Sequence, residues 1–182
     1  MTGPSFTLAP GIDGALLLEA IAHVETSGGR MNWPRIEAAY IPKGLAIEIQ
    51  GRVVSGTGVC VNDVVRERWK KWAPDSWVTA ASWGPWQILY HTAADLGYAG
   101  QPWGLWPADG SRPWVIRRLM KIAARGATTV EQFADAWNSG SFRDRNIPAL
   151  YIASVVGAYK ALDAARTSHS TSQPPPAQQR PA

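Results

Sequence analysis

Apolar residues along the chain recur at helical spacing in several separate stretches, and each stretch is bounded by capping chemistry. Asp13 can cap a helix from Gly14 to about Thr26, in which Leu17, Ala20, Ile21 and Val24 form one buried face. Gly28 and Gly29 supply the positive-φ stop. A short helical stretch is expected within Pro34 to Tyr40, ended by Pro42. Between Leu45 and Val61 the period drops to two: Ile47 and Ile49 alternate with Glu48 and Gln50, and Val53-Val54 follow a Gln-Gly step. That pattern predicts a small β-hairpin. Asn62 can cap a helix carrying Val65, Trp69 and Trp72, with Arg66, Arg68, Lys70 and Lys71 as a solvated basic face.

Further along, Ser111 and Pro113 are expected to open a helix with the stripe Val115, Leu119 and Ile122, closed by Gly126. Thr129 and Gln132 have the spacing of a capping box ahead of Phe133 and Trp137. The last helix is expected from Pro148 to about Ala165, with Ile152, Val155, Val156, Tyr159 and Leu162 in register. The elements make an α+β chain, mainly helical, with one small β element. Residues 1–166 read as one domain, and residues 167–182, polar and proline-rich, read as a disordered tail.

Composition narrows the classes. With 46% apolar and 18% charged residues the chain is globular in character, and no apolar run nears the roughly 20 residues a membrane span requires. The start, Met1 to Gly11, lacks a basic head and an unbroken apolar stretch, so no secretory signal is expected. The lone Cys60 excludes an internal disulfide and is expected as a small buried hydrophobe. His23, His91 and His169 form no metal-ligand pattern, and no metal or other cofactor is expected. A net charge of +4 favours acidic partners, but the basic residues spread from Arg30 to Arg166 without the arginine-rich clustering of a nucleic-acid binder. Ten tryptophans exceed what a core of this size needs, because the indole N–H and bulk favour partly polar settings. Some of them should line a groove.

Three places could carry chemistry. Glu25 lies at the carboxyl end of the first helix, beside the apolar stripe, where desolvation and the helix dipole both favour its protonated form. A carboxylic acid that keeps its proton near neutral pH is what cleavage of an acetal requires. In Ala81-Ser-Trp-Gly-Pro-Trp-Gln-Ile88 a Gly-Pro step forces a turn and leaves Gln87 beside Trp86, a two-way hydrogen-bonder suited to sugar hydroxyls or amides. In Ala136-Trp-Asn-Ser-Gly140, Asn138 can cap backbone or meet a ligand, and Tyr151 follows near the start of the last helix.

Taken in order, Glu25-Thr-Ser-Gly-Gly29, Ser82-Trp-Gly-Pro-Trp-Gln87 with Thr92-Ala-Ala-Asp-Leu-Gly97, Trp137-Asn-Ser-Gly140 and Tyr151 resemble the lytic transglycosylase and goose-type lysozyme group, over roughly Ile12 to Leu162. The resemblance implies a lysozyme-like fold with its small β region beside the catalytic cleft, and peptidoglycan glycan strands as substrate. It also implies a site in which Glu25 protonates the glycosidic oxygen. Ser27, Trp86, Gln87 and Asn138 would contact substrate, and Tyr151 would place its hydroxyl near Glu25. Ser27 is displaced by one position because Thr26 intervenes. Trp137 stands where that group has tyrosine, so a hydroxyl contact from there is expected to be lost.

Two outcomes follow protonation. A muramidase needs a second carboxylate, separated from the acid by about 5–5.5 Å for retention or 6.5–9.5 Å for inversion. The transglycosylases of the resembled group use one glutamate as acid and then base, and form a 1,6-anhydro sugar. Glu37, Glu48, Asp63 and Asp75 are candidates for a second carboxylate; none falls in a recognisable motif, and the transglycosylase outcome is preferred. A catalytically silent glycan-binding phage structural domain is the alternative to an enzyme. The expected setting is a phage or prophage product, made in the bacterial cytoplasm and acting on the wall after release or as a virion component.

Overall fold

The computed structural model describes residues 5–28, 33–49, 51–142 and 149–171. These form an α+β chain, mainly helical, with three small antiparallel sheets. The chain opens with β1 (Thr7–Ala9) and β2 (Ile12–Asp13), a tight hairpin that delivers Asp13 to the start of α1 (Gly14–Glu25). Asp13 Oδ1 accepts the amides of Ala15 at 2.8 Å and Leu16 at 3.3 Å, satisfying two donors that the helix leaves open. At the other end the Gly28 amide returns to the His23 carbonyl at 2.7 Å, with Gly28 at a φ of +76°.

β3 (Arg35–Ile36) follows, then a single 3-10 turn at Ala38–Tyr40. The helical stretch expected over Pro34 to Tyr40 is therefore mostly absent. Arg35 and Ile36 pair instead with Ser82 and Ala81 of β6 (Ala81–Trp83), and a tertiary ladder overrides a weak local preference. β4 (Ala46–Ile49) and β5 (Arg52–Ser55) form the expected hairpin, with Ile47 opposite Val54 and Glu48 opposite Val53. The Asn62 side chain caps α2 (Asp63–Lys71) by accepting the Val65 amide at 2.9 Å. On α2, Arg66 and Lys70 pair with Asp63 and Glu67 at the surface, whereas Arg68 turns inward to Asp95 at 2.7 Å. Cys60 is exposed, contrary to the expected burial, because it lies in the open loop before that helix.

A 3-10 segment, Ser76–Ala80, leads into β6, whose antiparallel partner β7 (Ile88–Leu89) precedes α3 (Tyr90–Asp95). After a further 3-10 turn at Pro102–Leu105 comes α4 (Ala108–Ala124). This helix starts a turn earlier than Ser111 and Pro113 suggest: Ser111 Oγ bonds back to the Pro107 carbonyl at 3.1 Å, and Pro113 lies inside the second turn. Both sides of the Thr129–Gln132 capping box are made at the head of α5 (Val130–Ser139). The last helix, α6 (Ala149–Thr171), runs past the expected end near Ala165, so residues 167–171 are helical; residues 172–182 of the expected tail lie outside the described residues. Among the described residues no helix is long and apolar enough to cross a membrane.

α1 lies against α6 and α4, and α6 also packs on α5. Leu17, Ile21, Val115, Leu119, Phe133 and Val155 are fully buried at their junction. Each such side chain contributes about 1.5–3 kcal/mol through burial. That junction fixes the carboxyl end of α1 against the head of α6.

Candidate functional site

Glu25 closes α1, and its side chain is only 6% exposed. Tyr151, in the first turn of α6, donates its hydroxyl to Glu25 Oε1 at 2.7 Å. Arg35, on β3, brings Nη1 to 3.6 Å from Oε2. The Trp137 side chain, near the end of α5, also acts on this carboxyl and favours its charged form. Four elements thus converge on one carboxyl group.

Burial raises the Glu25 pKa above the usual carboxylate value, and the nearby Glu37 charge adds to the rise. The Tyr151 bond, the Arg35 charge and the Trp137 side chain act against it without cancelling it. Burial and the Glu25 charge in turn push the Tyr151 phenol up, so it stays a hydroxyl and a donor at any working pH. The protonated carboxyl is therefore more favoured than in an exposed glutamate, yet donors are already in place to receive the carboxylate once the proton leaves. Such an arrangement suits a group that first gives and then takes a proton.

Arg118, on α4, lies behind this cluster. Its guanidinium sits 4.4 Å from the centre of the Trp137 ring. It donates to the carbonyls of Ala136 and Trp137 and approaches Thr92 Oγ1 at 3.5 Å. Burial lowers its pKa to about 10, which leaves it cationic near neutrality. A cation at the carboxyl end of α5 complements the helix dipole and clamps the ring that reaches Glu25.

The Trp137 side chain carries no hydroxyl, yet it still favours the Glu25 carboxylate over the acid.

The other residues expected at the site make no direct contact with the Glu25 carboxyl among the hydrogen bonds and ion pairs of the described residues. Ser27 is exposed at a φ of +51° in the turn after α1. Asn138 is exposed at the end of α5. Trp86 is buried, donates its indole N–H to the Leu18 carbonyl at 2.9 Å, and lines a groove of about 440 Å³ on another flank of α1, with Ala22, Thr26 and Arg112 among the walls. Gln87 is 9% exposed and turned into the protein. Its Oε1 accepts from Ser82 Oγ at 3.0 Å, and its Nε2 donates to the Gly84 carbonyl at 3.0 Å and the Trp33 carbonyl at 3.3 Å. None of Ser27, Gln87 and Asn138 hydrogen-bonds Glu25 among the described residues.

Gln87 holds a φ of +48°, and with Ser27 it makes the pair of described non-glycine residues at positive φ. Gly84 opens the same turn at a φ of +70°, and a Cβ there would stand 2.7 Å from both the Leu105 carbonyl and Ser111 Oγ. The turn is therefore held tightly from both sides.

Arg35, Glu37 and Arg118 form part of the arrangement without a sequence motif to announce them. Arg35 Nε bonds Glu37 Oε1 at 2.7 Å while Nη1 faces Glu25. Spanned by one guanidinium, the two carboxylates lie within roughly 9 Å of each other. Among the described residues, no group of three His, Cys, Asp or Glu side chains is arranged to hold a metal ion. No protein-family model, curated protein or solved structure significantly matches the chain.

Proposed function

We propose that the protein cleaves the β-1,4 bond between N-acetylmuramic acid and N-acetylglucosamine in bacterial peptidoglycan, with Glu25 as general acid and then base. On this reading the chain has a lysozyme-like fold and acts as a lytic transglycosylase. The observation that carries it is the buried, proton-retaining Glu25 carboxyl at the end of α1, held at 2.7 Å by the Tyr151 hydroxyl. Glu25 gives its proton to the glycosidic oxygen as the C1–O bond breaks. The muramoyl C6 hydroxyl then attacks C1, and its proton passes to the Glu25 carboxylate. The products are a 1,6-anhydromuramoyl end and a free 4-hydroxyl, with Glu25 restored. Tyr151, Trp137 and Arg35 stabilise the carboxylate formed between the two steps.

A second reading has its own support. Glu37 lies within roughly 9 Å of Glu25, a separation that admits the spacing an inverting hydrolase requires. In that case Glu37 accepts a proton from water as the water attacks C1, and the product has a reducing end. The intact acid, held by donors from three other elements, argues against a catalytically silent wall-binding domain.

Digestion of purified sacculi followed by mass spectrometry of the soluble muropeptides tests both readings. Anhydro ends are expected from wild type, and Glu25→Gln should abolish release. Reducing ends, lost again in Glu37→Gln, would establish the hydrolase. An unaltered rate in Glu25→Gln would remove Glu25 as the acid, and no release by the wild type would remove the enzyme proposal altogether.

A further inference from the structure

We infer that Trp33 is a sugar-stacking platform for an N-acetylhexosamine unit of the bound strand, and that Gln87 acts as its mount rather than as a direct ligand. The inference rests on the glycan reading above. Trp33 is 65% exposed, the most exposed of the tryptophans whose large apolar surface is left open. Open indole surface is unfavourable in water, and retaining it on a fixed support is characteristic of a binding surface.

The support is specific. Trp33 meets Trp106 nearly at right angles, 74° with ring centres 5.5 Å apart, so Trp106 covers at most one face of the Trp33 ring whichever ring presents its edge. Trp106 rests in turn on Trp83, 5.9 Å away and 2% exposed, whose own indole N–H is tied to the Val78 carbonyl at 3.1 Å. The backbone is held as well, since Gln87 Nε2 donates to the Trp33 carbonyl at 3.3 Å. Gln87 gains that reach from its positive φ and from Ser82, which bonds both Gln87 Oε1 and the Arg35 carbonyl.

Position supplies the remaining link. From Trp33 the chain enters β3, and at most about 7 Å of backbone separates it from Arg35. Arg35 Nη1 is 3.6 Å from Glu25. Two residues of backbone and one guanidinium therefore connect the platform to the acid. A pyranose presents axial C–H groups on one face and hydroxyls and amides at its rim, so a flat indole complements that face while the rim stays solvated. Trp103, 43% exposed, is mounted instead on Trp72 at 5.5 Å and makes no ring contact with the Trp33–Trp106–Trp83 row.

The test uses the full chain carrying Glu25→Gln, so that binding is read without turnover. Affinity for purified sacculi and for a β-1,4 N-acetylglucosamine hexamer is compared with that of the same protein bearing Trp33→Ala, Trp33→Tyr or Trp103→Ala. Trp33→Ala should weaken binding about tenfold, Trp33→Tyr should recover most of it, and Trp103→Ala should leave it unchanged. In the cleaving background, Trp33→Ala should raise KM with little change in kcat. Equal binding by Trp33→Ala, an equal loss in Trp103→Ala, or no binding by the Glu25→Gln parent would overturn the platform. Wild-type cleavage of sacculi is scored separately, so the glycosidase reading can survive a failed platform, and the reverse.

Discussion

Replacing Tyr151 by phenylalanine removes one hydroxyl from a side chain whose ring stays packed against the core. In the wild type that hydroxyl donates to Glu25 Oε1 at 2.7 Å and favours the carboxylate over the acid. A hydrogen bond to a charged group contributes about 1.5–3 kcal/mol, equivalent to roughly a ten- to hundredfold change in a proton dissociation constant. Without the bond, burial acts on Glu25 with one opponent fewer, so its proton is held to higher pH. On the proposed mechanism the acid form is the active form and activity falls as pH rises through the Glu25 pKa; that basic limb should therefore move up by about one to two pH units. Because the carboxylate formed in mid-reaction is then less well stabilised, the plateau rate should fall as well. The assay is turbidity loss of purified sacculi from pH 4 to 9, with thermal melts to confirm folding. A basic limb that stays in place, or moves to lower pH, would show that Tyr151 does not set the acid.

Two further expectations concern stability. Burial, with the Arg68 charge, lowers the His91 pKa from 6.5 to about 4, and its Nε2 is buried without a hydrogen-bond partner among the described residues. The unfolded chain thus takes the proton first, so stability present above about pH 6.5 is lost as pH falls through about 4, by up to about 3 kcal/mol. His91→Phe, which can keep the stack on Tyr40, should shrink the drop in melting temperature between pH 7 and pH 4.5; an unchanged drop would refute the assignment. Asp13→Ala should cost about 1 kcal/mol through loss of the α1 cap, measured by urea unfolding. Burial raises the Asp13 pKa, but Arg166, the two capping amides and Ser5 outweigh it and hold the carboxyl low. This contribution is therefore present above the ordinary carboxylate range and fades as pH falls through the Asp13 pKa, so the two proteins should converge in acid.

What the amino-acid order determines by itself is whatever is settled within a few residues. Asp13, Asn62 and the Thr129–Gln132 pair announce their helices because a cap bonds amides two or three positions away. The hairpin of β4 and β5 shows in the alternation of Ile47 and Ile49 with Glu48 and Gln50 and in the Gln-Gly step that follows. Glu25 is visible as an acid at a helix end, and Tyr151 only as a residue near the start of a later helix. Elements that answer to distant partners are not legible in this way. β3 exists because β6 pairs with it, and α4 begins early where Ser111 bonds back to Pro107. The direction of the Gln87 amide also depends on where the Trp33 carbonyl lies, 54 positions away in sequence. Arg35 and Arg118 carry no local signature, since their place beside Glu25 and Trp137 follows from helices and strands docking across the chain. Local bonding and side-chain period are encoded residue by residue, but the proton affinity of a carboxyl depends on everything that surrounds it, and that is assembled only when the elements pack.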